Sequence, residues 1–172
     1  FLLLRPERYG NMARKLKLGI IGVGNMGGAH IENYLEGKMK EIEITCVADI
    51  DEKRLAAALK KLPDAAAFST AQELMKSGRC EAVLIATPHY SHPPLAIEAL
   101  NNGLHVMSEK PAGVYTKQVR ELIAVSEKSD KTYALMLNQR TNCVYRKLKE
   151  LVSSGVYGEI RRVSWIITDW FR

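Results

Sequence analysis

Cysteine is scarce in this 172-residue chain: Cys46, Cys80 and Cys143, odd in number and far apart. That count excludes a disulfide-stapled scaffold. With no C-x-x-C pair, neither a zinc ribbon nor a redox dithiol is suggested. Free thiols of this kind point to a reducing, cytoplasmic setting. Long hydrophobic runs are missing too, and nothing approaches the roughly 18 apolar residues of a membrane span. Aromatics make up only 7% and do not interleave with basic residues as in a strand-binding groove. No two histidines and a carboxylate share metal-ligand spacing, so no metal is expected.

A surplus of positive charge is also missing from most of the chain. The net charge is +6, but residues 1–17 hold Arg5, Arg8, Arg14, Lys15 and Lys17 against Glu7 alone, which leaves +2 for the rest. A nearly neutral body argues against nucleic acid as a partner. The chain opens on Phe1, and Met12-Ala13-Arg14-Lys15 reads as a natural start. Residues 1–16 are therefore expected to be a leader, disordered or non-native.

What is there is an alternation of two periods. Buried-strand runs fall at Leu18–Val23, Ile42–Ala48, Ala65–Phe68, Glu81–Thr87, Leu104–Ser108 and Thr132–Leu137. Between them lie helix-period stretches: Asn25–Leu35, Asp51–Leu62, a short one opened by the capping box Thr70-x-x-Glu73, one capped by Ser91 and one capped by Thr116. A last helix runs from about Asn142 to Gly155. Strand–helix alternation means parallel pairing through right-handed crossovers. The expectation is an α/β fold: a doubly wound, six-stranded parallel sheet with helices on both faces, spanning residues 17–155. Gly158–Arg172 alternates instead, with Val163, Trp165 and Ile167 on one face. It reads as the first strand of a truncated α+β second domain, residues 156–172, and its unpaired edge predicts association.

Gly22-Val23-Gly24-Asn25-Met26-Gly27 is a G-x-G-x-x-G between a predicted strand and a predicted helix. That context separates a dinucleotide-binding turn of Rossmann type from a chance match. Gly22 allows the tight turn, Gly24 lets main chain approach a diphosphate, and Gly27 lets helix pack on strand. The helix N-terminus offers free N–H groups to the phosphates. Asp49 ends the second strand 22 residues after Gly27, where a carboxylate accepts both adenosine ribose hydroxyls and repels a 2′-phosphate. This favours NAD over NADP. Arg54 could stack on adenine or meet a phosphate.

Ligands of open parallel sheets sit at the carboxyl ends of strands. Two more such ends carry unusual residues: Ala86-Thr87-Pro88-His89-Tyr90-Ser91-His92 and Ser108-Glu109-Lys110-Pro111. Lys110 is the strongest catalytic candidate, because an amine there can exchange a proton with a substrate hydroxyl while a hydride moves. A surface lysine paired with Glu109 is the alternative. His89 or His92 could bond a cofactor ribose, or His92 could satisfy main chain. His30 and His105 read as packing residues.

Together GVGNMG, VADID, ATPHYSH, SEKPAG, NQR and LVSSGVYGEIRRVSW resemble the Gfo/Idh/MocA family of oxidoreductases, from about Lys17 to the final residue. The resemblance implies an NAD(P)-binding Rossmann domain followed by an α/β domain that supplies most of the substrate site and often the oligomer contacts. It implies dehydrogenation of sugars, polyols or their derivatives. It makes Lys110 the catalytic or substrate-orienting lysine, assigns Thr87, Pro88 and Glu109 to the cofactor, and turns Arg140 toward the cleft as a substrate residue, with a structural role as the alternative. Two departures stand out. His89 replaces a common Asn, and no D-x-x-x-H pair follows Lys110. The resemblance thus predicts a chain that binds cofactor yet turns over little substrate alone, in a homo-oligomer when full length. A non-catalytic, redox-sensing dinucleotide module is the competing reading. A methyltransferase explains neither the glycine turn nor Lys110.

Overall fold

The computed structural model describes residues 14–166. The chain divides into two compact units, Phe1–Met136 and Leu137–Arg172. The first unit alternates β1 (Leu16–Ile21), α1 (Asn25–Leu35), β2 (Ile42–Ala48), α2 (Glu52–Lys61), β3 (Ala66–Phe68), α3 (Ala71–Lys76), β4 (Ala82–Ile85), α4 (His92–Asn101), β5 (His105–Ser108), α5 (Thr116–Lys128) and β6 (Tyr133–Leu135). The six strands form one sheet in the order β3-β2-β1-β4-β5-β6, every pairing parallel. The order reverses between β1 and β4, which opens a crevice above their carboxyl ends.

The central strands are buried on both faces, since successive strand residues point opposite ways and helices cover each side. Ile21, Cys46, Ala48, Val83 and Ile85 pack with Leu74, Leu100 and Leu122 of α3, α4 and α5. Leu18, Ile20, Val47 and Leu84 pack with Ile31 and Ala58 of α1 and α2. Continuous apolar runs such as Leu18–Ile21 are what two-sided burial requires. Gly19 interrupts that run, and a Cβ there would sit 2.9 Å from Leu74 Cδ2 and 3.1 Å from the sulfurs of both Cys46 and Cys80.

Helix starts follow the local chemistry in part. Asp51 Oδ1 accepts from Lys53 and Arg54 N–H at the head of α2, and the Thr70–Glu73 box caps α3 on both sides. Ser91 and Thr116 do not cap as expected. The Ser91 hydroxyl lies 2.7 Å from the Pro88 carbonyl, in a 3-10 turn over His89–Ser91, and makes no cap bond to α4. Thr116 is already inside α5, after an uncapped Tyr115.

The second unit holds α6 (Cys143–Ser153), opened by Asn142, whose Oδ1 accepts from Val144 N–H. The expected domain 17–155 is thus divided after Met136, and α6 goes with the following segment. The strand expected over Gly158–Arg172 is not formed in its described part. Residues 158–166 have no regular structure, and residues 167–172 lie outside the described residues. A strand is held by the ladder of a neighbour, and among the described residues none pairs with this segment. Trp165 stays 68% exposed, its ring 5.7 Å from that of Tyr145.

Leu74 is fully buried where α3 meets the sheet. Leu74→Ala is expected to cost about 2–5 kcal/mol, read as a lower urea midpoint at unchanged slope.

Candidate functional site

The site is built on the turn between β1 and α1. Main-chain bonds pin it from both sides: Gly22 N–H donates to the Ala48 carbonyl (2.8 Å) and Ala86 N–H to the Ile21 carbonyl (2.8 Å). Gly22 has a φ of +88°, and a Cβ there would lie 2.8 Å from the Ala86 carbonyl oxygen. At Gly27 a Cβ would come within 1.9 Å of the Gly22 carbonyl oxygen, so only glycine lets α1 lie this close. Gly24 differs, because a Cβ there would meet only the end of the Arg54 side chain, at 3.4 Å. The turn therefore presents bare main chain, with the first N–H groups of α1 behind it and a cation beside it. That is the arrangement an anion needs at a helix N-terminus.

Asp49 completes the turn from β2. Its Oδ2 accepts from Val23 N–H (2.8 Å) and its Oδ1 from Asp51 N–H (2.9 Å). Each oxygen keeps a second acceptor direction for a diol. Arg54 is steadied by Asp51, Nε to Oδ2 3.5 Å.

These residues line one cavity of about 810 Å³ at the crevice. Gly22, Gly24, Asn25, Met26, Asp49, Arg54, Thr87 and Pro88 all face it, and Gly27 lies beneath. Ser69, Thr70, Ala71 and Gln72 form a wall that the sequence reading did not assign to the site. They follow β3 on the same edge as Asp49 follows β2, so the strand-end rule could have found them. In that wall the Ser69 hydroxyl and the Thr70 residue hold the Glu73 carboxyl below its ordinary pKa.

The remaining expected residues stand outside the cavity lining. Lys110 is exposed, two residues past β5. Glu109 is 5% exposed; its Oε1 lies 2.8 Å from His30 Nε2, and its Oε2 accepts from Lys110 N–H (3.2 Å). His30, expected as a packing residue, is thus a polar partner of the lysine segment. His92 is fully buried, with Nδ1 2.8 Å from the Pro111 carbonyl and Nε2 2.8 Å from the Thr87 carbonyl. Both ring nitrogens face main-chain carbonyls, to one of which the neutral ring donates at a time, and neither is left facing a ribose. Arg140 belongs to the second unit, in a 3-10 turn over Asn138–Arg140. Among the described residues no group of three or more His, Cys, Asp or Glu could hold a metal, and no helix is long and apolar enough to cross a membrane.

A family model described as an oxidoreductase family, NAD-binding Rossmann fold, matches residues 16–137. The chain belongs to that Gfo/Idh/MocA oxidoreductase family. The inositol 2-dehydrogenase of Corynebacterium glutamicum (strain R) is 31% identical over 150 residues, covering 87% of this chain and 44% of that protein. The scyllo-inositol dehydrogenase of Lactobacillus casei, solved with NAD(H) and scyllo-inositol, superposes with a TM-score of 0.80 at 27% identity, over 85% of this chain and 43% of that one. The WlbA dehydrogenase of Bordetella pertussis, solved with NADH and UDP-GlcNAcA, gives a TM-score of 0.78 at 26% identity, over 84% and 44%. The chain spans less than half the length of these relatives. Its glycine turn, open at Gly24, fits the dinucleotide of a Gfo/Idh/MocA fold, since the approach a diphosphate requires is the one a Cβ would block.

His92 is the only side chain joining the Thr87 and Pro111 carbonyls in the hydrogen bonds described. His92→Phe, which fills the volume but cannot donate, is expected to cost about 1–3 kcal/mol in urea unfolding.

Proposed function

We propose that this chain is the cofactor-binding part of a dehydrogenase that moves a hydride between NAD and a hydroxyl-bearing carbon of a sugar, polyol or derivative. The single observation behind it is the glycine turn, bare at Gly24 and facing Asp49 across one cavity. Gly22, Gly24, Asn25, Met26 and Gly27 would seat the diphosphate, with Arg54 as counter-charge. Asp49 would accept the adenosine ribose hydroxyls, and a carboxylate there repels the 2′-phosphate of NADP, so NAD is the proposed cofactor. Thr87 and Pro88 would flank the nicotinamide half, and the buried Glu109 would support it from behind.

Bound NAD supplies the hydride acceptor, C4 of its nicotinamide. Lys110 would do the complementary work at its Nζ: as the free amine it would take the proton from the substrate hydroxyl as the C–H bond breaks, and as the ammonium it would return that proton in the reverse reaction. Its exposure suits a group that meets a substrate from outside the sheet. Arg140 is proposed as a substrate contact on the family resemblance. The inositol-linked names of the relatives support a polyol, while the UDP-sugar complex supports a wider carbohydrate class. Chains of roughly twice this length are the relatives' rule, so this chain by itself is proposed to bind cofactor and turn over little. The unpaired thiols Cys46, Cys80 and Cys143 support a reducing, cytoplasmic setting, and the family resemblance supports a homo-oligomer.

Titration of the chain with NADH, followed by nicotinamide fluorescence, is expected to saturate below millimolar cofactor; no change up to that level would overturn the reading. Asp49→Ala is expected to weaken NADH by about tenfold or more, since it removes both a ribose acceptor and a bond to the turn. Lys110→Met is expected to leave NADH affinity within about twofold. In a protein extended to the length of its relatives it should remove polyol-dependent NAD reduction, and unimpaired turnover would exclude Lys110 from proton transfer.

A further inference from the structure

We infer that His30 is a positioning residue: through Glu109 it ties the helix that seats the diphosphate to the segment that presents Lys110. The inference rests on the proposed role of Lys110 and extends it to a largely buried histidine outside the cavity lining.

Beyond Ser108 the sheet ladder stops supporting the chain. Glu109 N–H still donates to the Ile85 carbonyl (2.8 Å), the last such bond before the lysine. Lys110 N–H then turns to the carboxylate of the preceding residue, Glu109 Oε2, at 3.2 Å. The direction of that carboxylate therefore sets the direction of the Lys110 main chain. A carboxylate that is only 6% exposed at its side chain needs a fixed partner, because water cannot solvate it. His30 supplies one: Nε2 stands 2.8 Å from Oε1, on a ring that is itself only 14% exposed. His30 lies in the second turn of α1, and the first turn of α1 carries Asn25 and Met26 at the diphosphate seat. One side-chain pair thus spans the distance from the phosphate turn to the lysine. On the other flank, His92 holds the Pro111 carbonyl, so the dipeptide Lys110-Pro111 is gripped from two sides. A charged hydrogen bond is short-ranged and directional, which suits a strut that must hold an amine to a fraction of an ångström.

The test uses the whole 172-residue chain and two signals at Lys110. The first is amide hydrogen exchange over residues 109–113. The second is the NMR resonance of the Lys110 amine after reductive ¹³C-methylation, assigned by its loss in Lys110→Arg. His30→Ala is expected to speed exchange of the Lys110 amide by about tenfold, to move the methylamine resonance and to abolish its response to NADH. His30→Gln, which returns a side-chain N–H at similar reach, is expected to restore all three. Glu109→Ala removes the same bond from the other partner should His30→Ala not fold, and is expected to speed exchange of the Lys110 amide likewise. A Lys110 amide and amine untouched by His30→Ala overturns the inference, as does a His30→Gln chain that folds yet behaves like the alanine variant. Failure of the wild-type chain to bind NADH would sink the proposed function instead, while the exchange comparison would still decide whether His30 holds this segment.

Discussion

A helix can approach the strand that feeds it only as closely as the intervening atoms permit, and here the limit is set by two glycines facing each other. Gly27 of α1 lies against the carbonyl of Gly22, with no room for even one carbon between them. That contact draws the head of α1 over the top of β1. Its unpaired N–H groups then meet the crevice created where the sheet order reverses between β1 and β4. The bonds from Gly22 to Ala48 and from Ala86 to Ile21 fix the same turn from the two neighbouring strands. Asp49, at the end of β2, serves the turn twice, as acceptor for Val23 and as the wall opposite it. The cleft is thus a product of close packing before it is a product of polar chemistry.

The sheet and its helices were legible because two-sided burial writes a strong signal. The runs Ile42–Ala48 and Asn25–Leu35 are read at their full observed length, since β-branched residues fill one and helical spacing governs the other. β1 is as long as its predicted run but begins and ends two residues earlier, and β3, β4, β5 and β6 are shorter than theirs. Thr87, for example, extends the pattern of β4 but has left the ladder to line the cavity. Cap chemistry was legible where a side chain had nothing better to do, as at Thr70. It misled at Ser91, where a 3-10 turn offers the hydroxyl a nearer carbonyl. The alternating segment after Gly158 shows the limit of periodicity, because alternation states which face a residue would occupy and not whether a neighbouring strand exists.

The site divides the same way. Residues bound to a motif with defined spacing, Gly22 to Gly27 and Asp49, fall together around one cavity. Residues whose role depends on long-range contact could not be read locally. His30 is 79 positions from Glu109, and nothing in its neighbours distinguishes it from a core histidine. His92 carries the opposite lesson: it sits beside the cavity wall in sequence, yet burial turns its ring inward to two carbonyls. The family assignment and the likeness to solved dehydrogenases agree with the fold on which this crevice stands.

Gly19 shows how tightly volume is shared elsewhere in this sheet. A missing side chain in the middle of β1 makes the space that two thiols and a leucine from three other segments occupy. Positions 19, 46, 74 and 80 therefore behave as one packing quartet rather than four independent sites. Evolutionary drift at any of them would have to be matched by a compensating loss or gain of atoms at another, so these positions should vary in concert across related chains.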